Sequence, residues 1–188
     1  MKNTLLLLIL IVPILVSGQI KSDSIIQRRN TLYIEALGQT GWYSLGFDRL
    51  FRLNKKVENS FSVGFAAVPY RTGPQTARIL SLPLSYNFIF GHKNHHLELG
   101  AGLTLQKEIF PYPPNNDVFY YSYFLPRIGY RLQLPNGFFF RGTFMTFINL
   151  INHGYTGKNE QYYYFSNMNY IAYQVFPWIG INIGYTFK

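Results

Sequence analysis

The chain has 188 residues, with 17 lysines and arginines against 8 aspartates and glutamates, so its formal net charge is +9 when the histidines are neutral. It contains no cysteine, which excludes disulfide bonds and lipid attachment through a thiol. Tyrosine and phenylalanine, with 16 and 17 residues, occur in almost every segment.

The N-terminus has the pattern of a secretory signal peptide. A short basic start, Met1 to Thr4, precedes an apolar run from Leu5 to Val16, and small residues end the segment at Gly18. A spanning helix needs about 20 apolar residues, so this run predicts a cleaved signal over 1–18. An uncleaved anchor is the alternative. Removing Lys2 leaves 16 basic and 8 acidic residues and a mature charge of +8.

Residues 19–30 form a polar lead-in that we place in the periplasm, and 31–188 form the predicted barrel domain. No later apolar run is long enough for a helical span, whereas a barrel strand crosses a membrane with about 9 to 11 alternating residues. The segment 96–106, HLELGAGLTLQ, shows this two-residue period most clearly. In chain order, the predicted strands are 30–39, 42–53, 60–68, 78–90, 96–106, 119–133, 138–149 and a last strand that ends at Phe187.

Short and long connections alternate between these strands. The predicted turns are 54–59, 91–94 and 134–137, and the predicted loops are 69–77, 107–117 and 151–169. This alternation is typical of an up-and-down outer-membrane barrel with both termini in the periplasm. The connection Thr40-Gly41 is shorter than an external loop should be.

Two prolines lie inside predicted strands. Pro83 and Pro126 each lack a backbone N–H, so they predict bulges or interruptions, and the sixth strand then has an alternative start at Pro126. A barrel of ten strands, with an extra pair from 118–125 and 161–173, is the alternative to eight.

The tryptophans and a terminal phenylalanine predict an interfacial girdle. Trp42 and Trp178 fall at the external ends of their strands, and Phe187 falls at a periplasmic end. Such rings are apolar while their polar atoms seek water, which suits the two membrane interfaces.

Three features together resemble the small outer-membrane β-barrel proteins of Gram-negative bacteria, which are mostly of unassigned function. These are the signal, the hairpin LPLSYNFIFGHKNHHLELGAGLTLQ (82–106) and the final strand PWIGINIGYTFK (177–188). The resemblance covers nearly the whole mature chain. It implies a single closed antiparallel barrel in the cell outer membrane, inserted by the barrel-assembly machinery, but no particular activity.

Charged residues are predicted inside the barrel. An eight-stranded barrel is just wide enough to be filled by side chains, so we expect these charges to form a buried paired network. A gated ion path or a proton site stays open as an alternative. We expect glycines 46, 64, 100, 102, 129, 180 and 184 to leave room for the arginines, with Arg52 as a further candidate near the periplasmic rim. The predicted network consists of Glu35, Asp48, Glu98, Arg127, Arg131 and Arg141.

No residue pattern predicts catalysis, a metal or a cofactor. His153, in a predicted external loop, has no nucleophile or orienting acid at a suitable spacing. His92, His95 and His96 are expected to form a solvated turn, since a metal site needs converging ligands with a second shell. There is no phosphate-binding glycine loop.

Three functions remain open. The first is a non-enzymatic anchor or surface-binding scaffold with an unidentified external ligand. The second is a narrow channel or small-solute transporter, and the third is a lipid-modifying enzyme that uses His153. The scaffold is favoured by tyrosines in the predicted external loops, which resemble adaptable binding surfaces but could equally form a girdle. These tyrosines are Tyr112, Tyr155, Tyr162, Tyr163, Tyr164 and Tyr170.

The basic charge points to membrane partners. Lys21, Lys55 and Lys93 are among the cations on the predicted periplasmic side, where phospholipid headgroups are the nearest anions. The cations on the external side are expected to meet lipopolysaccharide phosphates, and nucleic acid is ranked last. These external cations are Arg71, Arg78, Lys107 and Lys158.

Overall fold

The chain folds as a closed barrel of eight antiparallel strands in sequence order, with β1 pairing with β8. The structure is a computed structural model and describes residues 28–54, 57–72, 75–112, 115–155 and 175–188. The predicted signal and most of the lead-in lie outside these residues. The strands are β1 Asn30–Leu37, β2 Tyr43–Asn54, β3 Val57–Thr72, β4 Gln75–His92, β5 His95–Tyr112, β6 Asn115–Gln133, β7 Phe138–Tyr155 and β8 Val175–Phe187.

This topology confirms the predicted eight-stranded up-and-down barrel. The ten-stranded alternative is wrong, because 118–125 belong to β6 and continue its pairing with β5. Residues 161–173 lie outside the described part. Within the described residues, no helix has the length and apolar character needed to cross a membrane.

The barrel has two ends, which we name by their connections. The turn end carries the β2–β3, β4–β5 and β6–β7 connections, the start of β1 and the end of β8. The loop end carries the β1–β2, β3–β4, β5–β6 and β7–β8 connections. At the turn end, the predicted turn 134–137 is present: Gly137 has a φ of +100°, and the Asn136 side-chain oxygen accepts a 3.0 Å hydrogen bond from the Phe138 N–H.

Several predicted connections are strand instead. The predicted loops 69–77 and 107–117 are wrong, since β3 and β4 pair as far as Thr72 with Gln75, and β5 and β6 as far as Tyr112 with Asn115. β7 likewise continues into the predicted loop 151–169, and β3 begins inside the predicted turn 54–59. Pairing with a neighbouring strand outweighs weak local β-propensity, even in the proline-rich segment 107–117.

The prolines in strands interrupt one ladder each without shifting its register. Around Pro83 the β3–β4 pairing skips the proline and the residue beside it, and around Pro126 the β6–β7 pairing does the same. The strand on the other side of each proline, β5 in both cases, stays paired without a gap: Pro83 pairs with Thr104, and Pro126 pairs with Ala101. The predicted interruptions are therefore confirmed. No bulge lies at either proline, and a strand start at Pro126 is wrong because β6 begins at Asn115.

The side chains alternate between an apolar outside and a polar inside, as the two-residue period predicts. Every strand presents large apolar side chains outward, and Ile34, Leu45 and Phe65 are 60%, 64% and 56% exposed. Many serine, threonine and asparagine side chains point inward and are buried, as are the six predicted lumen charges. This distribution is the reverse of that in a water-soluble globular domain.

The inward-facing glycines do not make room for the arginines, so that expectation is wrong. A Cβ added at Gly46 would lie 2.2 Å from Cζ of Tyr33, and one added at Gly102 would lie 2.4 Å from Oε1 of Gln39. The space beside these two glycines is filled by the neutral side chains of Tyr33 and Gln39, whereas the arginines extend to carboxylates on other strands.

We predict that Gly46→Ala lowers the free energy of unfolding by about 1–3 kcal/mol, because the added methyl overlaps the Tyr33 ring. The matched control is Gly142→Ala, whose added Cβ meets its nearest neighbour at 3.9 Å and should change stability by less than about 0.5 kcal/mol. Urea unfolding of the refolded barrel measures both. Tyr33→Leu combined with Gly46→Ala should recover part of the loss, and equal effects of the two glycine substitutions would contradict the assignment.

Candidate functional site: the sealed lumen

Four charged side chains from four strands meet in the middle of the barrel, and we call them the lumen cluster: Asp48, Glu98, Arg131 and Arg141. Arg131 Nη1 lies 2.9 Å from Asp48 Oδ2 and 2.9 Å from Glu98 Oε1. Arg141 Nη1 lies 3.5 Å and 3.6 Å from the other oxygens of the same carboxylates, beyond good hydrogen-bond distance. Each carboxylate therefore sits between two guanidinium groups.

The register explains why this arrangement is needed. Arg131 and Arg141 are directly paired residues of β6 and β7, and strand alternation turns both of them inward. Two like charges at this separation repel each other in a low-dielectric interior unless anions lie between them. Asp48, from β2 on the far side of the barrel, and Glu98, from the neighbouring β5, supply those anions.

Aromatic rings complete the cluster. The Arg131 guanidinium carbon lies 4.7 Å from the ring centre of Phe139, and that of Arg141 lies 4.8 Å from Tyr33. Both rings are buried, so these cation–π contacts form away from water, where they are strongest. The four charged side chains are at most 2% exposed. At this level the lumen is filled.

Glu35 is tied to the cluster through an asparagine. Asn182 Nδ2 donates to Glu35 Oε1 at 3.1 Å, and Asn182 Oδ1 accepts from Arg141 Nε at 3.4 Å. The other oxygen of Glu35 accepts bonds of 3.2 Å from Ser44 Oγ and from the backbone N–H of Gln39. Glu35 thus connects the cluster to the β1–β2 connection.

That connection is a 3-10 turn, Gly38–Thr40, which folds into the barrel and which we call the plug. Leu37 enters it with a φ of +63°, and Gln39 is only 1% exposed. Thr104 Oγ1 donates to the Gln39 carbonyl at 3.1 Å. In the amide orientation that satisfies both ends of its side chain, Gln39 donates to the Leu84 carbonyl and accepts from Arg127 Nη1 at 2.8 Å. The expected external connection at Thr40-Gly41 is therefore an internal seal.

The structure brings all six predicted lumen charges inside the barrel. Arg127 reaches the plug and also donates to Thr143 Oγ1 at 3.2 Å. Together, these three carboxylates and three guanidinium groups carry no net formal charge. Arg52 does not join them, because it pairs with Glu58 at 2.7 Å near the turn end and keeps 29% of its side chain exposed.

The predicted girdle residues divide between the two faces. Trp42 at the loop end is 53% exposed, and Phe187 at the turn end is 36% exposed. The placement of Trp178 in the outer girdle is wrong: it pairs with Met145 and shares the inward face of β8 with Asn182, and its Nε1 is buried. A tryptophan at the end of a strand belongs to the girdle only if its position in the two-residue alternation puts its side chain on the outer face.

The sequence reasoning missed the roles of Tyr33, Phe139 and Gln39. Alternation puts Tyr33 on the polar face, but its place over Arg141 depends on barrel closure, which brings β7 within one strand of β1. Phe139 lies in the run Phe138-Phe139-Phe140, and the sequence marks it as inward only through Arg141, which is two residues further along and so shares its face. For Gln39 no local signal exists, because only the fold shows that the turn enters the barrel.

The histidines of the turn end do not converge. His95 Nδ1 lies 2.6 Å from Tyr130 Oη on the outer surface, whereas His96 faces the lumen and is 5% exposed. In the part of the chain that the structure describes, no group of three potential ligands could hold a metal ion. His153, expected in a loop, lies within β7.

Comparison with known proteins finds a structural similarity but no sequence relative. No protein-family model matches the sequence, and no curated protein matches it. Among solved structures, the chain is similar to the crystal structure of Acinetobacter baumannii CarO, with 9% sequence identity and a TM-score of 0.48. The match covers 86% of this chain and 98% of that chain. A likeness at this level does not extend to function.

We predict that Arg131→Met costs about 3–5 kcal/mol of unfolding free energy, because it leaves two buried carboxylates with one guanidinium. Arg52→Met, which breaks the partly exposed pair with Glu58, should cost at most about 1 kcal/mol. Adding Asp48→Asn to Arg131→Met removes the excess negative charge and should restore part of the stability. Urea unfolding in one lipid or detergent measures all three, and an Arg131→Met cost no larger than that of Arg52→Met rules out a paired cluster.

Proposed function

We propose that the protein is an integral outer-membrane β-barrel without enzymatic activity, whose sealed lumen makes it a non-conducting scaffold that presents its loop end for binding. The observation that carries the proposal is the filled lumen. Arg131, Arg141, Asp48 and Asn182 are 0% exposed, and Glu35 and Glu98 are 1% exposed. A continuous water path would touch at least some of these side chains.

The outer surface supports a membrane location. Large apolar side chains are exposed on all eight strands, whereas the interior carries the polar and charged groups. Water-soluble proteins rarely expose apolar surface on this scale, and an apolar band around a polar interior is what a lipid-embedded barrel needs. Export through the signal at 1–18 and insertion by the barrel-assembly machinery belong to the proposal.

Surface charge supports an orientation with the loop end outward. Arg71 and Arg78 are exposed near the loop end, and Lys107 Nζ lies 5.4 Å from the outward-facing Tyr120 ring. In the proposed orientation, lipopolysaccharide phosphates are the expected anions for these cations. Arg49 and Lys93 are exposed near the turn end, where phospholipid headgroups are the expected anions.

We predict that residues 19–188, refolded and inserted into planar bilayers, show no steady single-channel conductance. Arg127→Ala combined with Arg141→Ala should leak, because it loosens the plug and removes half of the cluster's positive charge. Arg52→Ala, at the turn end and outside the lumen cluster, should stay silent. Steady ion-selective conductance of the unsubstituted barrel would overturn the scaffold and favour the channel.

We predict that Ile34→Arg, in the middle of β1 on the outer face, lowers stability in bilayers by about 2–4 kcal/mol, because it places a cation among lipid chains. Leu53→Arg, which is 75% exposed before substitution but lies at the turn end, should cost about 0–1 kcal/mol. Unfolding titrations in phospholipid vesicles compare the two. Equal costs would mean that Ile34 does not face the membrane interior.

A further inference from the structure

Beyond the plug, the loop-end half of the interior is lined by aromatic side chains that the sealed lumen does not use. The rings contact one another around the wall, with centroid distances of 5.8 Å for Tyr70–Phe110, 5.6 Å for Phe110–Phe119, 6.2 Å for Tyr121–Tyr123 and 5.5 Å for Tyr123–Phe147. All six are only partly buried, so solvent reaches them, in contrast to the cluster below. We call these six residues the aromatic cup.

A carboxylate stands within the cup. Glu108 is paired in the sheet with Phe119, and Gln106 with Tyr121, so both side chains are on the ring-lined face. Gln106 Nε2 donates to Glu108 Oε1 at 2.8 Å, which holds the carboxylate in place. Both residues follow Thr104 on the same face of β5, and Thr104 binds the plug, so the carboxylate lies above the plug on the loop-end side.

The charges near the cup separate by face. Among the described side chains at this end, the acid Glu108 faces inward, as does Asp117, which has a partner of its own. Arg71, Arg78 and Lys107 occupy the alternate positions of their strands and lie on the outer face. The nearest inward-facing cation below is Arg127, held beneath the plug by Gln39 and Thr143. The faces of aromatic rings are themselves electronegative. Within the described part of the barrel, Glu108 and the ring faces therefore give the cup a negative potential.

We propose that the aromatic cup is a binding site for a small organic cation, such as a quaternary ammonium group, with Glu108 as counter-ion and the Tyr121, Tyr123 and Phe147 rings around the charge. Aromatic rings bind such cations through cation–π attraction, which strengthens as water is excluded. A hard metal ion fits less well, because Ca²⁺ takes six to eight oxygen ligands and the wall consists mainly of rings. The proposal rests on the proposed function, since it needs the loop end to face the outside.

The test titrates refolded residues 19–188 with choline and with 3,3-dimethyl-1-butanol, its neutral isostere, by calorimetry. We expect saturable binding of choline and binding of the isostere weaker by about tenfold or more. Glu108→Gln keeps the hydrogen bond from Gln106 but removes the charge, and should weaken choline binding about tenfold. Tyr121→Leu should weaken it similarly. Tyr120→Leu, the adjacent residue on the outer face, should leave it unchanged.

A wild-type barrel that does not saturate with choline, or that binds the isostere equally well, overturns the proposal. So does unchanged choline affinity in a Glu108→Gln variant whose unfolding midpoint matches that of wild type. Conductance recorded on the same preparation separates the two proposals. If the barrel binds choline and also conducts steadily, the sealed scaffold is contradicted and the cation site stands. If the barrel is silent and does not bind choline, the cation site is contradicted and the scaffold stands.

Discussion

The interior of a closed eight-stranded barrel has room for side chains and little else, so each inward-facing charge must contact an opposite charge or accept or donate hydrogen bonds. The register makes this demanding, because Arg131 and Arg141 are placed directly opposite each other. Asp48, from across the lumen, and Glu98, from the strand next to β6, each bridge the two guanidinium groups. Removing any one member leaves an uncompensated buried charge, so these four strands depend on one another.

The plug follows from the same constraint. Glu35 carries a charge for which no ion pair is formed among the described residues, and it is stabilised instead by hydrogen bonds from Asn182, Ser44 and the Gln39 backbone. The last of these bonds holds the β1–β2 connection inside the barrel. The interior then divides in two, with a formally neutral, filled half toward the turn end and a half-exposed aromatic half toward the loop end. The partly exposed aromatic half is therefore where we place the proposed binding site.

Elements with strong alternation were predicted correctly, and those whose structure depends on a neighbour were not. The segment 96–106 could be assigned because the apolar outer face and the polar inner face of the barrel impose opposite polarity on successive side chains. The segment 107–117 reads as a loop from its prolines, yet β5 continues to Tyr112 because β6 pairs with it there. Trp178 marks the end of a strand in sequence, but its partner Met145 shows that it faces the lumen.

The sequence by itself predicted a closed barrel, with eight strands favoured over ten, and the six charges that face inward, because strand periodicity states which side chains share a face. It could not determine which charges touch, because contacts across the lumen depend on strand order, tilt and register around the closed sheet. Only the tertiary structure decided that Arg131 joins Asp48 to Glu98, that Arg127 reaches Gln39, and that the β1–β2 turn seals the lumen. The aromatic cup is likewise tertiary, since its rings come from β3, β5, β6 and β7.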